Sequence, residues 1–202
     1  FALASSSSSL AASSPATEAA TVHWRDPADP GLAEHLAEAK LSLQLLVTTL
    51  ADAVANAVKD GGPHQGVIGC QLQALPLTHQ SLRQSPPRIT ALKRTSLRLR
   101  NPANTPDAPE RLALNRVAQL IDDKEPVPPF LVQELDATAT HDAEIRIYKP
   151  VTIAAQCLTC HGNPSTFPAR LSQVLAQRYP TDAATGYREG DWRGLIRVSL
   201  AP

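Results

Sequence analysis

EIRIYKPVTIAAQCLTCHG, residues 144–162, joins two patterns in one stretch. Ile145, Ile147, Val151 and Ile153 alternate with Glu144, Arg146, Tyr148 and Thr152, the two-residue period of a half-buried strand. The strand runs directly into Cys157-Leu158-Thr159-Cys160-His161. That C-x-x-C-H spacing sets two thiols at haem vinyl groups and the next imidazole under the iron. The expectation is one covalently attached haem c, with thioethers from Cys157 and Cys160 and His161 as an axial ligand. Two other chemistries use similar cysteines. A redox dithiol wants a helix N-terminus after a strand in a βαβ unit, and a zinc site needs a second ligand pair, which Cys70 alone does not make.

Downstream of the motif, Pro168 to Gln177 reads as a helix with Leu171, Val174 and Leu175 inward. Ile196, Val198 and Leu200 then alternate with Arg197 and Ser199 in a last strand. Upstream, Asp29-Pro30 caps a long amphipathic helix whose Leu32, Leu36, Leu43, Leu46, Leu50, Val54 and Val58 recur at helical spacing up to Gly61-Gly62-Pro63. Gly66 to Leu75 reads as a short helix, Leu92 to Leu99 as a basic strand, and Pro109 opens a helix that cannot pass Pro126. Helices interspersed with a few strands fit an α+β domain on an antiparallel sheet. Residues 1–28, rich in serine and alanine at their start, are expected to form a flexible leader or linker, and residues 29–202 the domain.

The chain has 202 residues and no net charge, and its basic residues are dispersed, which argues against a nucleic-acid partner. Leu41 to Val58 is interrupted by Ser42, Gln44, Thr48, Thr49, Asp52 and Asn56, so no transmembrane span is expected. The small-residue start and the lack of any methionine suggest a processed, periplasmic or otherwise exported protein, although a trimmed chain would look the same.

Lack of methionine also excludes the His/Met ligation of many electron carriers. The second axial position is left to Cys70, to one of His23, His35, His64, His79 and His141, or to water or a gas. His64 and His79 flank Cys70 and are the better histidines; Cys70 itself reads equally well as a ligand or as an inert buried thiol.

Four segments carry a family resemblance: GPHQGVIGCQLQALP (62–76), ALKRTSLRLRNPANTPDAPE (91–110), IYKPVTIAAQCLTCHG (147–162) and YPTDAATGYREGDWRGLIRVSL (179–200). Together they resemble the cyanobacterial Tll-type haem-domain family of PAS-like c-type haem proteins, over about residues 32–200. The family's Ala-Ile pair before the first-motif cysteine is Val67-Ile68 here, and its Arg-x-Ser is Arg94-Thr95-Ser96 with Leu99 before Arg100; both are mild departures. The resemblance implies a PAS-like antiparallel sheet with flanking helices and axial ligation by His161 and Cys70. Arg94, Arg98 and Arg100 are candidates for the haem propionates, since guanidinium matches carboxylate in a forked geometry, with a solvated face as the alternative.

A thiolate ligand stabilises ferric iron, so a low potential follows if Cys70 binds. Electron transfer with a redox partner protein is the expected role. The alternative is a redox or gas sensor in which Cys70 yields its place to a diatomic gas. No acid/base pair stands out near the motif, so no enzymatic activity is expected. The Leu32–Val58 stripe would suit either packing on the sheet or a dimer face.

Overall fold

The computed structural model describes residues 20–202; of the expected leader, residues 1–19 lie outside the described residues. Five strands make one antiparallel sheet: β1 (Val22–Arg25), β2 (Ile89–Thr95), β3 (Leu131–Leu135), β4 (Glu144–Thr152) and β5 (Trp192–Leu200), in the order β1-β3-β4-β5-β2. Five α-helices accompany it: α1 (Ala33–Gly61), α2 (Pro63–Arg83), α3 (Ala108–Asp122), α4 (Leu158–His161) and α5 (Ala169–Arg178). This is the expected α+β architecture with a long N-terminal helix. The domain begins earlier than residue 29, because Val22 to Arg25 pair with β3 as an edge strand.

The alternation in β4 and β5 sorts their side chains onto two faces. Ile145, Ile147, Ile196, Val198 and Leu200 join Leu32, Leu36, Ala39, Leu43 and Leu46 in one core, so the leucine stripe of α1 packs on its own sheet. Full burial of a side chain such as Leu46 contributes about 1.5–3 kcal/mol, and this core is the main source of stability. By length and apolar composition Pro30–Gly61 is also sufficient to cross a bilayer. What argues against a span is that its first half is built into the sheet's core.

On the opposite face Arg146, Tyr148, Arg197 and Ser199 point toward α3, whose Ala113, Leu114 and Val117 pack with Leu131, Tyr148 and Leu195. The charged groups on this face are paired, whereas the buried Ser199 hydroxyl has no hydrogen-bond partner among the described residues. Asp107 and Glu110 form a capping box at the start of α3. Their carboxylates meet Arg146, Arg197 and Lys93 from three strands.

α1 and α2 form an antiparallel helical hairpin joined at Gly62. A Cβ on Gly66 would lie 2.7 Å from Val58 Cγ2, so glycine is what lets the two helices approach there. α2 is twice the length expected, with Pro76 inside it. Thr78 and Ser81 donate their hydroxyls to carbonyls four residues back, which keeps these polar residues compatible with the helix.

Gly194 interrupts β5 with φ +150°, and a Cβ there would stand 2.4 Å from the Thr95 carbonyl oxygen. Gly194→Ala is expected to lower unfolding free energy by about 3 kcal/mol, from strain and displacement of β2 together. A urea melt checks this; a loss under about 1 kcal/mol would mean that β2 gives way freely.

Candidate functional site

β4 ends where Ile153 donates its amide to the Asp191 carbonyl and accepts from Gly190, both at 2.8 Å. After that clasp the chain turns through residues 155–157 into α4. Cys157, Cys160 and His161 thus stand at i, i+3 and i+4 of a helical turn, on one side of it. Their bodies anchor in different places. Cys157 packs against Ile153, Ala184 and Tyr187, whereas Cys160 packs against Val67, Leu171 and Tyr179 from α2 and α5. All three cysteines are half-buried thiols outside any disulfide.

His161 Nδ1 lies 2.7 Å from the Ala184 carbonyl oxygen. A carbonyl can only accept, so Nδ1 carries the proton and Nε2 is left as a lone-pair donor. Burial, reinforced by Arg100, Arg193 and Arg94, pushes the imidazole down to about 3, so it is neutral at physiological pH. A neutral, oriented imidazole with a free Nε2 is the form that coordinates a metal.

The Ala184 carbonyl is itself held in place. Arg98 donates to the carbonyls of Ala183 (3.0 Å) and Thr185, and Arg100 to those of Ala184 (3.3 Å) and Cys160 (2.6 Å). Arg100 also pairs with Asp182 at 3.0 Å, and the other Asp182 oxygen accepts the Ala184 amide at 2.8 Å. Tyr187 completes the bed. Its ring meets His161 edge-on at 6.4 Å and carries the Arg98 guanidinium at 4.1 Å.

Beside the motif, the ends of β2, β4 and β5 border a cleft of about 240 Å3, lined by Cys157, His161, Arg94, Arg100, Ile153 and Arg193 among others. The walls are apolar with convergent cations, the character of a cofactor or ligand pocket. The sequence candidates divide accordingly. Arg94 and Arg100 line the pocket. Arg98 does not: its guanidinium is committed to two backbone carbonyls and the Tyr187 face. Arg193, not singled out from sequence, lines the pocket as well.

Cys70 lies on α2, outside that lining, one helical turn beyond the buried Val67. Burial pushes its thiol up, against the opposing pull of Arg94 and Arg100, and Cys160 in turn feels Cys70. The helix that carries it touches both α4 and β2. Cys70 is therefore on the same side of the sheet as the motif, sharing its arginines. The other histidines are elsewhere: His23 bonds Asp136, His35 contacts Arg88, His141 contacts the Asp142 carbonyl and His79 is exposed. His64, at the start of α2, is half-buried and does not line the pocket. Among the described residues no group of three or more histidines, cysteines and carboxylates is placed to hold a bare metal ion, and no βαβ unit supports a redox dithiol.

An antiparallel sheet with helices on it, and a cysteine/histidine turn beside a cationic pocket at the end of its fourth strand, defines an α+β domain with a PAS-like sheet. The profile of the Tll0287-like family matches residues 33–201, and the chain belongs to that family. Among solved structures it is similar to the crystal structure of the cyanobacterial heme-protein Tll0287. The two share 21% identity with a TM-score of 0.56, over 84% of this chain and 96% of that one. No curated protein matches.

Proposed function

We propose that this chain is a monohaem c-type cytochrome of low potential, exported and active in electron transfer with a redox partner protein. The observation that carries the reading is His161, neutral, with Nδ1 held by Ala184 and Nε2 free, in one helical turn with two unpaired thiols beside a cationic pocket. The likeness to a protein described as a heme-protein supports the same cofactor. Haem c bound there would supply one-electron chemistry at its iron. Cys157 and Cys160 would hold it through thioethers, and His161 would ligate its iron. Cys70, on the facing helix, is the thiol proposed for the other side.

The residues fit such a group in charge: Arg94, Arg100 and Arg193 line the pocket beside the motif. Bound as a thiolate, Cys70 would stabilise the ferric state and lower the potential relative to a thioether donor. Its surroundings also favour a second reading. Burial pushes the Cys70 thiol up, so an unligated Cys70 is held as neutral S–H, a weak ligand that a diatomic gas could replace. In that case the domain would serve as a redox or gas sensor.

Spectra of the haem-loaded protein decide between them. The denatured protein should give the pyridine haemochrome spectrum of a thioether-linked haem, and its absence would defeat the haem reading. Cys70→Ala should convert the ferric spectrum from low-spin to a high-spin or water-ligated form. An unchanged ferric spectrum would remove Cys70 as a ligand. Carbon monoxide binding to the reduced wild type favours the sensor, and failure to bind favours the carrier.

A further inference from the structure

We propose that Arg94 and Arg193 form a two-point carboxylate clamp at the pocket, each taking one propionate of the bound haem; this rests on the cofactor reading above. Three guanidinium groups face the pocket. Arg100 is satisfied by Asp182 and by the carbonyls of Cys160 and Ala184. The other two have no carboxylate partner among the described residues. Among the described residues no hydrogen bond or ion pair reaches Arg94, and Arg193 donates through one nitrogen, to Ser96 Oγ at 2.7 Å and the Arg98 carbonyl at 2.9 Å, with its guanidinium 5.6 Å from the centre of the Tyr187 ring. The other Arg193 nitrogens have no hydrogen-bond partner among the described residues, and the residue lines the pocket.

Both guanidinium groups are half-buried, and burial lowers them from their ordinary value against the smaller opposing pull of Cys70 and Tyr179 on Arg94 and of Tyr187 and Asp182 on Arg193. A buried charge is tolerated when a partner of opposite sign completes it. Two unmatched positive charges call for two negative ones, and a porphyrin carries two carboxylates. The positions agree: Arg94 pairs in register with Ile196 on β5, two residues past Gly194, and Arg193 precedes that glycine. Both arginines thus bracket the narrow β2–β5 contact that Gly194 permits.

The test uses the haem-loaded protein, reduced stepwise with dithionite at several pH values. Arg94→Gln and Arg193→Gln together should disfavour reduction at least tenfold, about 59 mV for a one-electron couple, because two cations near the iron are gone. The same double variant should acquire a pH-dependent potential near neutrality, since an unclamped propionate takes up a proton as the electron arrives. Lysine at both positions should restore both behaviours. Arg116→Gln, on α3 against Trp24, is the control and should shift neither.

Haem retained with a wild-type potential and pH profile in the double variant would overturn the clamp, as would an equal shift in the control. If the glutamine pair fails to hold haem, recovery of haem by the lysine pair supports the clamp and failure to recover it refutes it. Wild type without thioether-linked haem would instead defeat the cofactor reading, and the clamp with it.

Discussion

Glu110→Ala is expected to cost about 3–5 kcal/mol of unfolding free energy, the scale for breaking a buried ion pair from one side. Glu110 is fully buried. It receives Lys93 Nζ at 2.6 Å and the Asp107 amide at 2.8 Å, and stands 3.2 Å from Arg197. Truncation leaves Lys93 on β2 without a carboxylate and Arg197 on β5 with Asp107 alone, and also removes half of the capping box of α3. A domain of this size has only about 5–15 kcal/mol in hand, so the variant should be marginal at 37 °C. Glu110→Gln keeps an acceptor for the Asp107 amide while deleting the charge, and should fall between wild type and alanine. Urea unfolding with an unchanged slope is the measurement; a loss under about 1 kcal/mol for alanine would show that the strand cations reach water instead.

Most of the fold is legible because its core obeys simple periods. The leucines of α1 and the alternation of β4 and β5 bury one face each, so 3.6 and 2.0 residue repeats survive in the sequence. β3 is hidden for the converse reason. In Leu131-Val132-Gln133-Glu134-Leu135 both faces are covered, and buried Gln133 is satisfied by the Tyr148 hydroxyl at 2.8 Å and the Pro109 carbonyl at 3.1 Å. A polar residue at a buried position breaks the alternation that announces a strand. β1 is only Val22 to Arg25, and its strand character comes from pairing with β3 rather than from its own composition. The short helix read over Gly66 to Leu75 follows its apolar stretch, whereas α2 runs through Pro76, which is exposed, where the carbonyl it leaves unbonded can be hydrated.

The site was legible in its covalent chemistry and not in its supports. A pentapeptide declares two thiols and an imidazole by spacing alone. What orients the imidazole is a carbonyl 23 residues away, and carbonyls carry no residue-type signal. Arg94, Arg98 and Arg100 look equivalent in sequence, alternating along one basic segment. The chain separates them after β2 ends at Thr95: Arg94 stays in the strand facing the pocket, Arg98 turns onto Tyr187, and Arg100 reaches Asp182. Arg193 stands within a quoted segment but outside any spacing rule, and the sheet pairing is what brings it across to β2.

Asp182→Ala should join a stability loss of about 3–5 kcal/mol to a change at the motif, because this carboxylate has two duties. One is to pair with Arg100, with both side chains close to 10% exposed. The other is to accept the Ala184 amide, which sets the direction of the carbonyl that holds His161. Without Asp182, a nearly buried Arg100 loses its counter-charge and the 182–187 loop loses the contact that aims Ala184. The imidazole ring should then be less firmly oriented, and a ligand whose outer partner is disturbed binds its metal 10- to 100-fold more weakly as a rule. Asp182→Asn separates the two duties, since its amide oxygen can still accept from Ala184 while the charge is gone. Stability should fall in both variants, whereas the spectrum of the haem-loaded protein should be altered mainly in alanine. Equal spectral change in both would place the effect on the Arg100 charge, and no change in either would mean that the His161 ring is held by packing against Tyr187 rather than by the loop.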